Sequence, residues 1–242
     1  MARAYFPLRI TSAGEVPKAR ELPRELSDRL TFGLVQAGVL PLLRLILWSM
    51  IIRYGDLSFK PVTPERWSDL EELFGEHGAY SGCWCMWWRI TRSEFDRNHG
   101  EGNRRALKRI VGSGTVPGIL AYLQERPIGW CSVAPHEQFP VLDRSRMLKR
   151  VDDLPVWSIV CFFVARPYRR QGLSSLLIRG ALEYAKGQGA TIVEAYPVDK
   201  ESPKNTSVEA FTGFAKTFKR LGFKEVIRRS AWMPILRYYL ED

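Results

Sequence analysis

The stretch that decides the fold runs from Val156 to Leu177 and reads VWSIVCFFVARPYRRQGLSSLL. Its first part, Val156 to Val164, is a nearly continuous apolar run, the pattern of a central strand covered on both faces. Ala165-Arg166-Pro167-Tyr168 reads as a turn, since proline fixes φ and removes a backbone donor. From Gln171 the spacing predicts a helix. Leu173, Leu176, Leu177, Gly180, Ala181, Tyr184 and Ala185 share one face, and Gly187 is a natural stop. The first turn of a helix carries unpaired N–H groups and the positive end of the peptide dipoles. Gly172 has no Cβ, so a ligand can approach its backbone closely. Arg169 and Arg170 add positive charge, and the whole turn suits a diphosphate group. A solvated basic turn has the same ingredients, so the segment needs its context.

That context is a mixture of strands and helices. Leu57 to Val62 alternates as a short strand, and Thr63-Pro64-Glu65 reads as a helix start. Trp67, Leu70, Leu73 and Phe74 recur at helical spacing up to Gly75. Ser93 to Val111 is charged and helical, with an interruption at His99-Gly100. Ile119 to Leu123 and Ile128 to Val133 read as a hairpin. Pro135 to Pro155 is a long loop with room for one short helix. Beyond the central helix come a strand, Thr191 to Val198, a helix, Val208 to Leu221, and two closing strands, Phe223 to Arg228 and Trp232 to Tyr239. The order is α+β around one sheet.

Residues 1–56 read differently. They are punctuated by Pro7, Pro17 and Pro23 and end in an apolar stretch from Leu34 to Ile52 that contains Pro41 and Arg44. The reading is an N-terminal helical extension, with an apolar helix over about 34–52, ahead of one domain over 57–242. An arginine near the middle of a membrane span costs roughly 2.5–3.5 kcal/mol on insertion scales. A helix packed on the domain or lying at an interface is therefore favoured, and membrane contact through 34–52 is the alternative. Met50 as the native start is a further reading of the same stretch.

The net charge of +10 favours anionic partners, whether nucleic acid, an acidic membrane face or a phosphorylated cofactor. The basic residues are spread along the chain and not interleaved with aromatics, so no nucleic acid is expected. Four scattered cysteines, Cys83, Cys85, Cys131 and Cys161, do not make a disulfide scaffold in a chain of 242 residues, and a reducing cytoplasm fits best. Cys83 and Cys85, one residue apart with no second cysteine pair, are poor zinc spacing, so no metal is expected. A reactive thiol would need a histidine or a cation beside it, and His77 and Arg89 are the nearest in sequence. Trp84, Trp87 and Trp88 suit either core packing or an aromatic wall for a cationic amine.

Arg169-Arg170-Gln171-Gly172-Leu173-Ser174 resembles the signature Q/R-x-x-G-x-G/A of the GNAT superfamily of N-acetyltransferases, with Ser174 in the last small position. Phe162 to Tyr168 is similar to that family's approach from strand to loop, and Gly222-Phe223-Lys224-Glu225-Val226 to its exit from the fourth helix. Gly82 to Arg89, GCWCMWWR, resembles an uncharacterised bacterial subgroup. The resemblance covers about Leu57 to the C-terminus. It implies a mixed, mostly antiparallel central sheet flanked by helices. It implies acetyl-CoA as co-substrate, with its pyrophosphate on the turn formed by Arg169, Arg170, Gln171, Gly172, Leu173, Ser174 and Ser175. The pantetheine arm would lie beside Phe162, Phe163 and Val164, where one backbone N–H would polarise the thioester carbonyl. The reaction would be direct attack by a primary amine of a small molecule or peptide. A non-catalytic acyl-CoA-binding sensor or interaction module on the same fold is the alternative, and a homodimer is open.

The acid and base are less clear. Many members use a Tyr in the fourth helix one turn before its terminal Gly, and Phe218 stands there. Glu194 and Tyr196, two apart and so on one face of the following strand, are the replacements expected here, Glu194 as base and Tyr196 as acid. The competing reading pairs Glu194 with an arginine and packs Tyr196.

Overall fold

The computed structural model describes residues 57–199 and 209–240. The extension expected over 1–56, with its apolar helix, lies outside the described residues. Among the described residues no helix is long and apolar enough to cross a membrane.

Seven strands make one sheet in the order β1-β2-β3-β4-β5-β7-β6, with β1 at Leu57–Pro61, β2 at Ile119–Leu123, β3 at Arg126–Pro135, β4 at Trp157–Val164, β5 at Ile192–Ala195, β6 at Lys224–Ile227 and β7 at Ile235–Tyr239. The pairs β2/β3, β3/β4, β5/β7 and β6/β7 are antiparallel, and β4/β5 is parallel. The helices are α1 (Trp67–Phe74), α2 (Arg92–Arg97), α3 (Glu101–Gly112), α4 (Pro140–Arg144), α5 (Leu173–Gly187) and α6 (Ala215–Arg220). The expected interruption at His99-Gly100 falls between α2 and α3, where Gly100 adopts φ 72°.

The parallel pair requires a crossover, and α5 provides it. Leu173, Leu177, Gly180, Ala181 and Ala185 of the predicted stripe are buried, Leu176 and Tyr184 are half-buried, and Ile178 and Leu182 widen the buried face. Gly129 of β3 leaves room for Leu173 and Leu177 on that face, and Trp157 of β4 meets Tyr184 edge-on at 5.8 Å. The opposite face is covered by α1, α3 and the Trp- and Cys-rich segment, with Leu70, Phe74, Trp84, Leu107 and Trp130 in one core cluster.

Two departures from the sequence reading matter for the site. Ser132 pairs with Cys161 but Val133 pairs with Ile159, so Val160 is an extra residue in β4. This bulge puts Val160 and Cys161 on one face and bends the strand. Beyond it β4 is no longer covered on both sides: Ser158 to Val160 are buried, and Cys161 to Val164 are half-buried. The single helix expected over Val208 to Leu221 is also broken. A 3-10 turn at Glu209–Thr212 ends at Gly213, φ 83°, and α6 begins at Ala215. The cause is pairing with Val198, whose N–H donates to Gly213 O at 2.9 Å and whose carbonyl accepts from Ala215 N–H at 2.9 Å. A continuous helix would consume those groups itself.

Gly118 precedes β2, and a Cβ there would overlap the carbonyl oxygen of Cys131 and lie 2.9 Å from Ser132 Cα. Both are backbone atoms of a central strand and cannot swing aside. Gly118→Ala is expected to lower unfolding stability by roughly 1–3 kcal/mol. An unchanged denaturation midpoint would show that β3 yields there.

Candidate active site

The turn before α5 is shaped by left-handed backbone. Arg170 has φ 61° and Gly172 φ 84° with ψ 1°. Such residues turn neighbouring N–H groups to one side and make anion-binding concavities. Side chains fix the turn to its own scaffold: Arg169 Nε donates to Val164 O at 2.9 Å and Gln171 Nε2 to Pro167 O at 2.7 Å. Gly172 caps α5 without a side-chain hydrogen bond; Ser175 N–H donates to Gly172 O at 3.0 Å, which leaves the N–H groups of Leu173 and Ser174 at the start of a 15-residue helix. Arg169 and Arg170 are exposed, and Ser174 and Ser175 are half-buried.

Directly before this turn lies the free edge of β4. β5 pairs with β4 only through Trp157–Val193, Ser158–Glu194 and Ile159–Ala195. Past the bulge the two strands separate, and among the described residues the β5-side backbone of Val160 to Val164 has no strand partner. Trp88 Nε1–H donates to Val160 O at 3.1 Å and holds the bulge. Phe162 faces the α5 side and meets Phe218 at 6.0 Å, while Phe163 points the other way and meets Phe74 at 5.6 Å. The expected cofactor residues therefore form one continuous rim: the edge of β4, the turn and the start of α5. Phe218, fully buried between Phe162 and Phe223, is packing.

Glu194 and Tyr196 come together at the closed end of this splay. Tyr196 Oη donates to Glu194 Oε2 at 2.7 Å, and Arg237 Nε donates to Glu194 Oε1 at 2.8 Å. Arg237 is the cross-strand neighbour of Glu194 and also forks onto Asp152 at 2.7 and 2.8 Å. Tyr196 Oη lies 3.0 Å from Ser158 Oγ and 3.2 Å from His136 Nδ1, and His136 Nε2 lies 3.1 Å from Asp143 Oδ1. Tyr196 is 0% exposed and Glu194 1%. Burial, then the Glu194 charge, pushes the Tyr196 phenol well above its ordinary value, so it stays protonated. The arginine pairing and the expected acid–base proximity are thus both present. Sequence reasoning missed Arg237, His136, Ser158 and Asp152. Only the alternation of Ile235, Arg237 and Tyr239 on one face of β7 hinted that Arg237 points inward.

The aromatic segment divides its residues. Trp84 stacks on Trp67 at 6.0 Å within the core, Trp88 serves the bulge, and Trp87 is exposed beneath the Arg92 guanidinium at 4.1 Å. Among the described residues no three metal-ligating side chains gather at one point.

The arrangement is a mixed sheet split between a bulged β4 and a parallel β5, with a glycine-opened helix behind it. The model of the Acetyltransferase (GNAT) family matches residues 84–214, more than half of the chain, and the chain belongs to that family, whose acyl donor is acetyl-CoA. Among solved structures it is similar to a PaiA N-acetyltransferase from Thermoplasma acidophilum in complex with coenzyme A, at 13% identity and TM-score 0.44, over 76% of this chain and 99% of that one. It is also similar to a GNAT-family acetyltransferase from Listeria monocytogenes, at 10% identity and TM-score 0.48, over 76% and 95%. No acceptor is inferred from likeness at that level. No curated protein sequence matches the chain.

Removing one partner of a buried ion pair strands the other charge, at a cost of roughly 3–5 kcal/mol. Arg237→Ala is expected to destabilise the fold by about that amount through Glu194, measured by urea denaturation. A loss below about 1 kcal/mol, the range of exposed pairs, would mean that solvent reaches Glu194.

Proposed function

We propose that the chain transfers an acetyl group from acetyl-CoA to a primary amine of a small molecule or peptide by direct attack. One observation carries this reading: the free edge of β4 runs straight into a left-handed turn and an uncapped helix start, so a strand-like arm and its diphosphate have adjoining places. The N–H groups of residues 170–174 hold the diphosphate, with Arg169 and Arg170 supplying positive charge. The β4 edge at Phe162, Phe163 and Val164 lines the pantetheine arm, and an N–H near Phe163 or Val164 polarises the thioester carbonyl.

Tyr196 is the acid. It keeps its proton at working pH and gives it to the departing thiolate. Glu194, oriented by Arg237, is the base and takes the amine's proton through the Tyr196 hydroxyl, the atom already bonded to it. Both groups lie under the side chains of the closed end, so acceptor binding must part that cover. Trp87 and Trp88, at the aromatic segment, suit a cationic amine before it loses its proton.

Incubation of the full chain with acetyl-CoA and an amine and peptide library is expected to put one acetyl mass shift on a subset of amines. No acetylated amine, with acetyl-CoA bound, would remove the transfer reading. Gly172→Val is expected to weaken CoA binding by about tenfold, the equivalent of one lost charge-assisted hydrogen bond, in a calorimetric titration. Unchanged affinity would move the diphosphate elsewhere. Tyr196→Phe is expected to lower kcat by on the order of 10²-fold or more with little change in KM for acetyl-CoA. A wild-type kcat in that variant would end its role as acid.

A further inference from the structure

One cluster on the aromatic-segment side of the sheet has no part in the transfer just described. Cys85 Sγ and Cys161 Sγ lie 3.1 Å apart, although 76 residues separate them. Trp130 Nε1–H donates to Cys85 Sγ at 2.9 Å. Arg89 is 8% exposed, with Nη1 on Gln138 Oε1 at 3.0 Å, Nη2 on Pro117 O at 2.9 Å, and a buried Nε that has no partner. Burial brings its pKa down to about 10, against the opposing effect of Cys85 and Cys161. Trp84 and Cys85 both adopt positive φ, 43° and 53°. Non-glycine residues hold that conformation only where their surroundings over-determine it, as functional sites do. Cys161 directly follows the bulge residue Val160 of β4 and precedes Phe162 to Val164.

We propose that Cys85 and Cys161 form a redox-active dithiol, which a small peroxide converts to a disulfide that displaces the β4 bulge and stops acetyl transfer. The hydrogen bond from Cys161 holds the Cys85 thiol below its ordinary value against the opposing effect of burial, and Trp130 and Arg89 act in the same direction. Cys161 is correspondingly raised and keeps its proton. Cys85 is therefore the attacking sulfur. Its thiolate attacks one peroxide oxygen, the O–O bond breaks, and the departing hydroxide takes a solvent proton to become water. Cys85 is then a sulfenic acid. The Cys161 sulfur attacks the Cys85 sulfur, the S–O bond breaks, and the hydroxide leaves as water with the Cys161 proton. Two sulfurs lose one electron each, and the peroxide becomes two waters.

Two consequences follow from the surroundings. Closing the sulfurs to a bonding distance of about 2.05 Å requires roughly 1 Å of movement at the bulge. A dithiol reductant restores the reduced pair. Only a small oxidant fits the scheme, since Cys85 is 5% exposed. Cys83 and Cys131 serve as internal controls, because burial pushes Cys83 up to about 11 and Cys131 well above the ordinary value.

The test treats the full chain with hydrogen peroxide and maps disulfide-linked peptides by mass spectrometry. The Cys85–Cys161 link is expected, with Cys83 and Cys131 still free, and oxidised glutathione should not produce it. In parallel, acetyl transfer by the wild type should fall by on the order of 10²-fold, the cost of a 1 Å misplacement, and return with dithiothreitol. Cys85→Ser and Cys161→Ser, each compared with its own untreated sample, should be insensitive to peroxide. Absence of the link under excess peroxide, or a link between other cysteines, overturns the dithiol. A clean link with unchanged turnover overturns its control of the site. The turnover arm rests on the proposed acetyl transfer; the peptide map does not, so the two readings fail separately.

Discussion

Strand β5 leaves β4 after three residue pairs, and the site is a consequence of that separation. Backbone groups inside a sheet are ordinarily paired. Here the extra residue at Val160 bends β4 away, and the indole of Trp88 satisfies the carbonyl that the bend exposes. The edge that remains, within Val160 to Val164, offers backbone groups without a strand partner among the described residues, the Val160 and Val164 carbonyls being held by Trp88 and Arg169. An edge of this kind at a sheet's rim invites aggregation; enclosed between two strands, it selects a ligand with a strand-like amide backbone. The left-handed turn at Arg170 and Gly172 then sets the start of α5 at the end of that edge.

Keeping two parallel strands joined at one end and parted at the other requires something to hold the joined end. A buried polar chain does this. It runs from Asp152 through Arg237 and Glu194 to Tyr196, and on to Ser158 and His136. It crosses β7, β5 and β4 in turn. Each member is satisfied, and a fully satisfied buried network specifies one arrangement more sharply than apolar packing does. The same chain supplies the proposed acid and base, so the fold's clamp and its proton path share atoms. Its far end reaches Asp143, which is 43% exposed, through His136.

Much of the fold was legible because it is local. The stripe of α5, the β2–β3 hairpin and the break between α2 and α3 each follow from a period or a turn residue within a few positions. The bulge was not legible. VWSIVCFFV is apolar nearly throughout, so an inserted residue leaves no mark on the pattern. The helix expected over 208–221 fails for the opposite reason: its periodicity is sound, but Val198 captures the backbone groups around Gly213. At the site, the glycine-opened turn before α5 could be read from neighbours in sequence, and the closeness of Glu194 and Tyr196 from their spacing of two. Their partners could not. Arg237 stands 43 residues from Glu194, His136 60 from Tyr196, and Cys161 76 from Cys85. Arg89, weighed as a cation for a thiol on sequence proximity alone, turned out to face two of them.

The central claim is that one ligand engages both the free edge of β4 and the start of α5. Amide hydrogen exchange of the full chain, with and without acetyl-CoA, tests it most directly. The account predicts slowed exchange at the amides of residues 161–164 and 170–174 together, at one concentration of acetyl-CoA and with the rest of the sheet little changed. Protection of the α5 turn alone, or protection confined to other parts of the chain, would contradict it.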